Sequence, residues 1–147
     1  MCVFNGEPYL NKSIESVLSQ TFSNFEFIII NDGSFDKSFE VMNSYKDPRI
    51  KILNHENIGL TKSLNIGIKV AKGEFIARLD ADERALPDRF EKQIEIVKNN
   101  PKIGVLGSYC VNFYNLNKNF SKLITVPIKD QNIRKHLIRN NPFIHGS

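Results

Sequence analysis

The stretch FEFIIINDGS, residues 25–34, reads in two halves. Its first six residues are aromatic and β-branched apart from Glu26. They form a short apolar run of the kind that fills a buried strand. Its last four are turn chemistry. Gly33 permits a sharp reversal, and Ser34 or the nearby Asp36 can cap a following helix. The pattern on either side changes period. Upstream, YLNKSIESVLSQ (residues 9–20) puts Leu10, Ile14, Val17 and Leu18 on one helical face. Downstream, DKSFEVMNSY (36–45) is helical, with Phe39, Met42 and Tyr45 on one side. RIKIL (49–53) is a second strand. GLTKSLNIGIKVAKG (59–73) is a third helix, with Leu60, Leu64 and Ile68 in register as core and Gly73 as its stop.

EFIARLD (74–80) reads as a further strand, and Pro87 suits the first position of a helix that runs to about Asn99. Phe90, Ile94 and Val97 face inward on that helix. Strand and helix therefore alternate, which predicts an α/β sheet with mostly parallel strands. After Gly104 the pattern loosens. VLGSYCVNFYN (105–115) and KLITV (122–126) read as strands and NIRKHLIRN (132–140) as a short helix. Both ends read as cut: three strand-like residues precede the first turn, and NPFIHGS stops without a terminator.

A chain of 147 residues is one domain's worth, large enough to fold without a disulfide or metal staple. Cys2 and Cys110 are too few for a disulfide framework, which fits a reducing cytoplasm, and each reads as a small buried hydrophobe. No apolar run approaches the about 20 residues of a membrane helix. The net charge of +4 is uneven, since residues 98–147 hold eight Lys or Arg and a single acid, Asp130. Such a basic segment can face anionic lipid at the inner membrane surface, a phosphate-bearing substrate, or simply solvent. Nothing in it interleaves aromatics as a nucleic-acid site does, so no nucleic-acid partner is expected.

In open parallel sheets ligands bind at the carboxyl ends of the strands. Two polar clusters fall there, NDGS (31–34) and DADE (80–83). Asp80 and Asp82 are two apart, so in an extended chain they point the same way. Bare, they would repel; a hard cation such as Mg2+ or Mn2+ removes the conflict and commonly uses one or two carboxylates plus substrate phosphates. The alternative is a solvated loop. An EF-hand is excluded because Arg84 and Ala85 occupy its fifth and sixth places, and a haloacid-dehalogenase motif fails at Arg84. P-loop and dinucleotide fingerprints are absent. Asp32, at a strand end, can accept a hydrogen bond from an imide N–H such as that of uracil. Phe4 in VFNGE (3–7) can stack on a base or belong to the core, and Lys62, off the apolar face of its helix, can reach a base or phosphate or stay solvated.

In order along the chain, VFNGEPYL, FEFIIINDGSFDKS, NIGLTKSLNIGIKVAKGEFIARLDADE and ALPDRFEKQ resemble the family-2 glycosyltransferases over roughly residues 1–100. The resemblance implies a GT-A fold, with a Rossmann-like, mostly parallel sheet and helices on both faces. Residues 1–100 are then the nucleotide-sugar-binding portion and 101–147 the start of an acceptor-side portion. It implies a UDP-sugar donor, a Mn2+ or Mg2+ ion, and inverting transfer to a glycan or lipid-linked acceptor in cell-surface polysaccharide biosynthesis. Phe4 takes the place of the family's usual Tyr beside the base, and Asn5 and Glu7 of the same turn are expected to bind the nucleotide with it. Asp32 would bind uracil, with Asn31 replacing the first acid of the usual DDGS. Asp80 would contact the ribose or metal-bound water, and Asp82 the metal and diphosphate. Glu83 stands where a third Asp is common, and Lys62 where some members use a basic residue. The family's general base is an acid well beyond these motifs, commonly in an ED pair; Asp130, in IKDQN, does not resemble it, and His145 is a weak substitute. The base is therefore expected outside this chain. Two other readings stand beside this one: a non-catalytic nucleotide-binding module, and a sugar nucleotidyltransferase. The latter opens with a Gly-rich, Arg/Lys-bearing loop that FNGEPYL is not.

Overall fold

The computed structural model describes residues 1–113 and 121–143. They fall into two compact units, Met1–Asn99 and a second that begins at Asn100.

The first unit is built on three parallel strands, β1 (Cys2–Val3), β2 (Phe27–Asp32) and β3 (Ile50–His55), in that spatial order. Cys2 pairs with Ile30, and Ile30 in turn with Leu53. Each crossover is a helix, as parallel neighbours require: α1 (Glu7–Leu18) and α2 (Ser38–Ser44). α3 (Leu60–Val70) and α4 (Arg89–Asn99) follow. β2 is apolar on both faces because both are covered. Phe27 and Ile29 pack into a core with Val3, Leu10, Ile14, Val17, Met42, Leu79 and Ala85. On the other face Ile30 lies under α3. Leu10 and Ile14, fully buried on α1, each contribute about 2 kcal/mol by area.

Three expectations need correction. Residues 74–80 form no strand. Leu79 is buried, but Phe75 and Ile76 are 43% and 58% exposed. A strand needs a ladder partner, and β1, the edge strand on that side, is only two residues long. The segment is pinned by side chains instead: Arg89 Nη2 donates to the Arg78 carbonyl (3.0 Å), and Ser13 Oγ to the Ala81 carbonyl (2.6 Å). Second, α3 does not bury the face carrying Leu60 and Ile68, which are 49% and 55% exposed. It lies on the sheet through Ser63, fully buried, and Gly67, where an added Cβ would come within 2.8 Å of Ile30 Cδ1. Small side chains let the helix backbone approach the strand more closely than leucines would. Third, Pro87 precedes α4 by two residues rather than opening it. On α4, Phe90 packs against the core, while Ile94 and Val97 are half-buried. Phe39 of α2 stays 38% exposed and Tyr45 follows the helix half-buried, so Met42 alone of that face is enclosed.

The second unit holds an antiparallel pair, β4 (Cys110–Phe113) and β5 (Ser121–Ile124), and a helix, α5 (Asp130–Leu137). Tyr114, Asn115 and His145, which carried sequence expectations, lie outside the described residues. Cys110 is half-buried, not enclosed, and the other three residues of β4 are exposed. Arg134, Lys135 and His136 close α5, where the helix dipole favours cations. Among the described residues no helix is long and apolar enough to cross a membrane.

Candidate functional site

The loops that follow β1 and β2 are tied to each other before any ligand arrives. Asn5 N–H donates to Ser34 Oγ (3.0 Å), and Phe35 N–H returns a bond to Asn5 Oδ1 (3.0 Å). Gly6 N–H donates to Ser38 Oγ (2.9 Å) and Glu7 N–H to Asp36 Oδ2 (3.1 Å). Glu7 Oε2 accepts from Lys37 N–H (3.3 Å). Asn5 adopts φ +54°, a left-handed conformation that Asn tolerates better than most residues. Phe4 meets Phe35 edge to face with ring centroids 5.8 Å apart. Asp36 also accepts from Ser38 N–H (2.9 Å), but the N-cap of α2 is Lys37 and carries no side-chain capping bond, so neither Ser34 nor Asp36 is the cap that sequence suggested, and Ser34 serves as a cross-link. Burial pushes the Asp36 carboxyl up, but the bonds from Ser38 and the neighbouring amides outweigh it and hold it below the usual range.

Asp32 ends β2, yet its carboxylate is turned into the protein and is 2% exposed. Oδ1 accepts from Ile58 N–H (2.9 Å) and Oδ2 from Gly59 N–H (3.0 Å); His55 Nδ1 lies 3.5 Å from Oδ1. Asn57 Nδ2 donates to the Asp32 carbonyl (2.9 Å). Gly33, at φ +72°, packs so closely that a Cβ would sit 2.5 Å from the Asn57 amide nitrogen. Asp32 thus builds the 57–59 loop that launches α3. Burial pushes its carboxyl up, and the Ile58 amide, the Ser63 hydroxyl, the Gly59 amide and His55 together bring it below its ordinary value. A depressed carboxyl contributes stability that is complete above the unfolded value of about 3.9 and is lost as pH falls through the lower folded value. Asp32→Ala leaves two buried amides without an acceptor and is expected to cost about 2–5 kcal/mol in urea denaturation at neutral pH. A loss under 1 kcal/mol would show that the loop holds without it.

The paired acids sit in the turn after Leu79. Arg78 Nη2 contacts both Asp80 oxygens, at 2.8 and 3.2 Å, and Asp80 N–H donates to Glu83 Oε2 (3.2 Å). Burial raises the Glu83 carboxyl, and the charges of Asp80 and Asp82 add to that against the Asp80 N–H and Arg89, which lower it. Asp82 is exposed and its carboxylate makes no hydrogen bond or ion pair among the described residues. Asp80 and Asp82 line one cavity of about 280 Å3, together with Cys2, Phe4, Gly6, Leu60 and Ala81. It opens at the carboxyl end of β1. Phe4, 51% exposed, is therefore a cavity wall and not core. Of the sequence-predicted residues the cavity gathers Phe4, Asp80 and Asp82. Asn5 and Glu7 are spent on the loop cross-links, Asp32 on the 57–59 loop, and Lys62 is exposed on α3 away from these walls. Sequence reasoning missed Gly6, Leu60 and Arg78; the two-residue spacing of Arg78 and Asp80 was the available signal for the last.

The full span of residues 1–147 matches the glycosyl transferase family 2 model. This chain belongs to that family. An uncharacterized glycosyltransferase of Haemophilus influenzae is 41% identical over 112 residues, which cover 74% of this chain and 35% of that protein. One from Methanocaldococcus jannaschii is 38% identical over 146 residues, covering 96% and 50%. The family-2 chain thus spans a third to a half of the length of these relatives. In fold it is similar to S. aureus TarS 1-349 solved with UDP (TM-score 0.64, 23% identity, 68% of this chain and 31% of that one). It is also similar to the mannosyltransferase PcManGT of Pyrobaculum calidifontis, solved with GDP-Man and Mn2+ (TM-score 0.59, 18% identity, 72% and 32%). The family-2 sheet with its appended helices is therefore the GT-A α/β fold, as the sequence led one to expect.

Proposed function

We propose that this chain is the donor-binding portion of an inverting glycosyltransferase that takes a UDP-sugar with a divalent cation. The observation that carries the reading is the cavity at the carboxyl end of the parallel sheet, walled by one exposed aromatic ring and two carboxylates. A base stacks on Phe4. Asp80 and Asp82, whose hard oxygens suit Mn2+ or Mg2+, would hold the cation. The fit is supported by Asp82, exposed and, among the described residues, without a hydrogen-bond or ion-pair partner. Among the described residues no three His, Cys, Asp or Glu converge as a protein cage does, so a cation held by this acid pair would rely on the donor's phosphates as well. Bound there, the metal supplies charge to stabilise the departing diphosphate. The chain's own residues hold the donor: Phe4 orients the base, and the Asp80–Asp82 turn fixes the phosphates. Asp32 acts through the loop it builds, beside the cavity. The acceptor hydroxyl then displaces the nucleotide in one step, with a general base taking its proton.

The reading is supported by relatives bearing the glycosyltransferase name and by the UDP and Mn2+ found with two proteins of like fold. Thermal shift tests it. At 100-fold excess over the dissociation constant, UDP with Mn2+ stabilises the chain by about 2.7 kcal/mol, whereas ADP or GDP with Mn2+ gives a smaller shift at the same concentration. Equal shifts for the three nucleotides defeat the uracil assignment; none at all defeats the donor site.

A further inference from the structure

Arg78 is the part of the paired-acid turn that the donor reading leaves without a task. Its guanidinium spans both oxygens of Asp80, at 2.8 and 3.2 Å, with each side chain only 30% exposed. A cation bound through those oxygens would stand within a few ångströms of a group that does not lose its proton. The two positive charges compete for one carboxylate. The backbone of the turn does not depend on that ion pair. Arg89 holds the Arg78 carbonyl, Ser13 the Ala81 carbonyl and Glu83 the Asp80 N–H, while Leu79 is buried at 4% exposure.

We propose that Arg78 is a built-in counter-cation of the Asp80–Asp82 site, which a divalent metal must displace from Asp80. The metal alone is then a poor ligand. It enters together with an anionic nucleotide, whose diphosphate completes its shell and offsets the loss of the Arg78–Asp80 pair. Arg78 is a positioning residue: it acts on the metal through Asp80. The inference rests on reading Asp80 and Asp82 as a cation site.

The test is a Mn2+ titration of the chain without nucleotide, following the free-ion signal by electron paramagnetic resonance. Arg78→Met is expected to bind Mn2+ about five- to tenfold more tightly than the parent, since one neighbouring positive charge at partial exposure is removed. Arg78→Lys, which keeps the charge, should return the affinity to near the parent value. Adding Asp80→Asn to Arg78→Met should cancel the gain, because the two substitutions act on one contact. Unfolding midpoints confirm that each variant is folded. If Arg78→Met binds Mn2+ no better than the parent or worse, while Asp82→Asn weakens Mn2+ binding, Arg78 merely orients Asp80 and the inference falls. If neither Asp82→Asn nor any of these variants alters Mn2+ affinity, the cation site itself is wrong.

Discussion

Supplied with UDP-sugar, Mn2+ and a glycan or lipid-linked acceptor, the 147-residue chain is expected to hold nucleotide but to transfer no sugar to that acceptor. Residues 98–147 contain one acid, Asp130, and its carboxylate is occupied by Arg134 at 2.7 Å on the exposed helix α5. Loss of a general base costs about 10²–10⁴-fold in rate. Where the acceptor is not held against the donor the cost is greater, because holding two reactants together supplies about 7–11 kcal/mol of a barrier. Slow, metal-dependent hydrolysis of the UDP-sugar is compatible, since water needs no pocket. The check is a product assay by mass spectrometry. Rapid transfer to a defined acceptor would overturn the expectation and direct the search for a base to Asp130, His136 and His145.

Asp82→Asn should lower the affinity for UDP in the presence of Mn2+ by at least about tenfold and leave UDP binding without metal nearly unchanged. The substitution keeps the shape of the side chain and removes its charge. Because Asp82 is exposed and makes no hydrogen bond or ion pair among the described residues, its replacement leaves no orphaned partner, and the unfolding midpoint should stay within a degree or two of the parent. Calorimetric titration with and without Mn2+ separates the two affinities. If Asp82→Asn takes up UDP with Mn2+ as tightly as the parent, the acid pair is a solvated turn.

Much of the fold was legible because β2 and α1 carry their burial in their own side chains. Phe27 to Ile30 could only be a strand covered on both faces, and Leu10, Ile14 and Val17 face one core. Reading failed where a neighbour decides the outcome. Residues 74–80 have the composition of a strand, but β1 is too short to pair with them. On α3 the apolar stripe attracted the eye, whereas contact with β2 runs through Ser63 and Gly67, which hydrophobic periodicity does not weigh. The site divides in the same way. Phe4, Asp80 and Asp82, singled out by strand ends and two-residue spacing, line one cavity. Asp32 was expected to face a ligand because position along a strand says nothing about where amide donors lie, and here the 57–59 loop supplies two.

The bonds between the first two loops set a rule for redesign. Asn5, Gly6 and Glu7 answer to Ser34, Phe35, Asp36, Lys37 and Ser38. Neither segment is an independent module. Transplanting a 4–7 turn without Asn5 and Glu7 would leave the Phe35 and Lys37 N–H groups without these acceptors, and a 34–38 turn without Ser34, Asp36 and Ser38 would do the same to the Asn5, Gly6 and Glu7 N–H groups. The unit of inheritance is the pair: recombination that changes the Phe4 wall of the cavity has to carry both segments, across α1 and β2, which separate them.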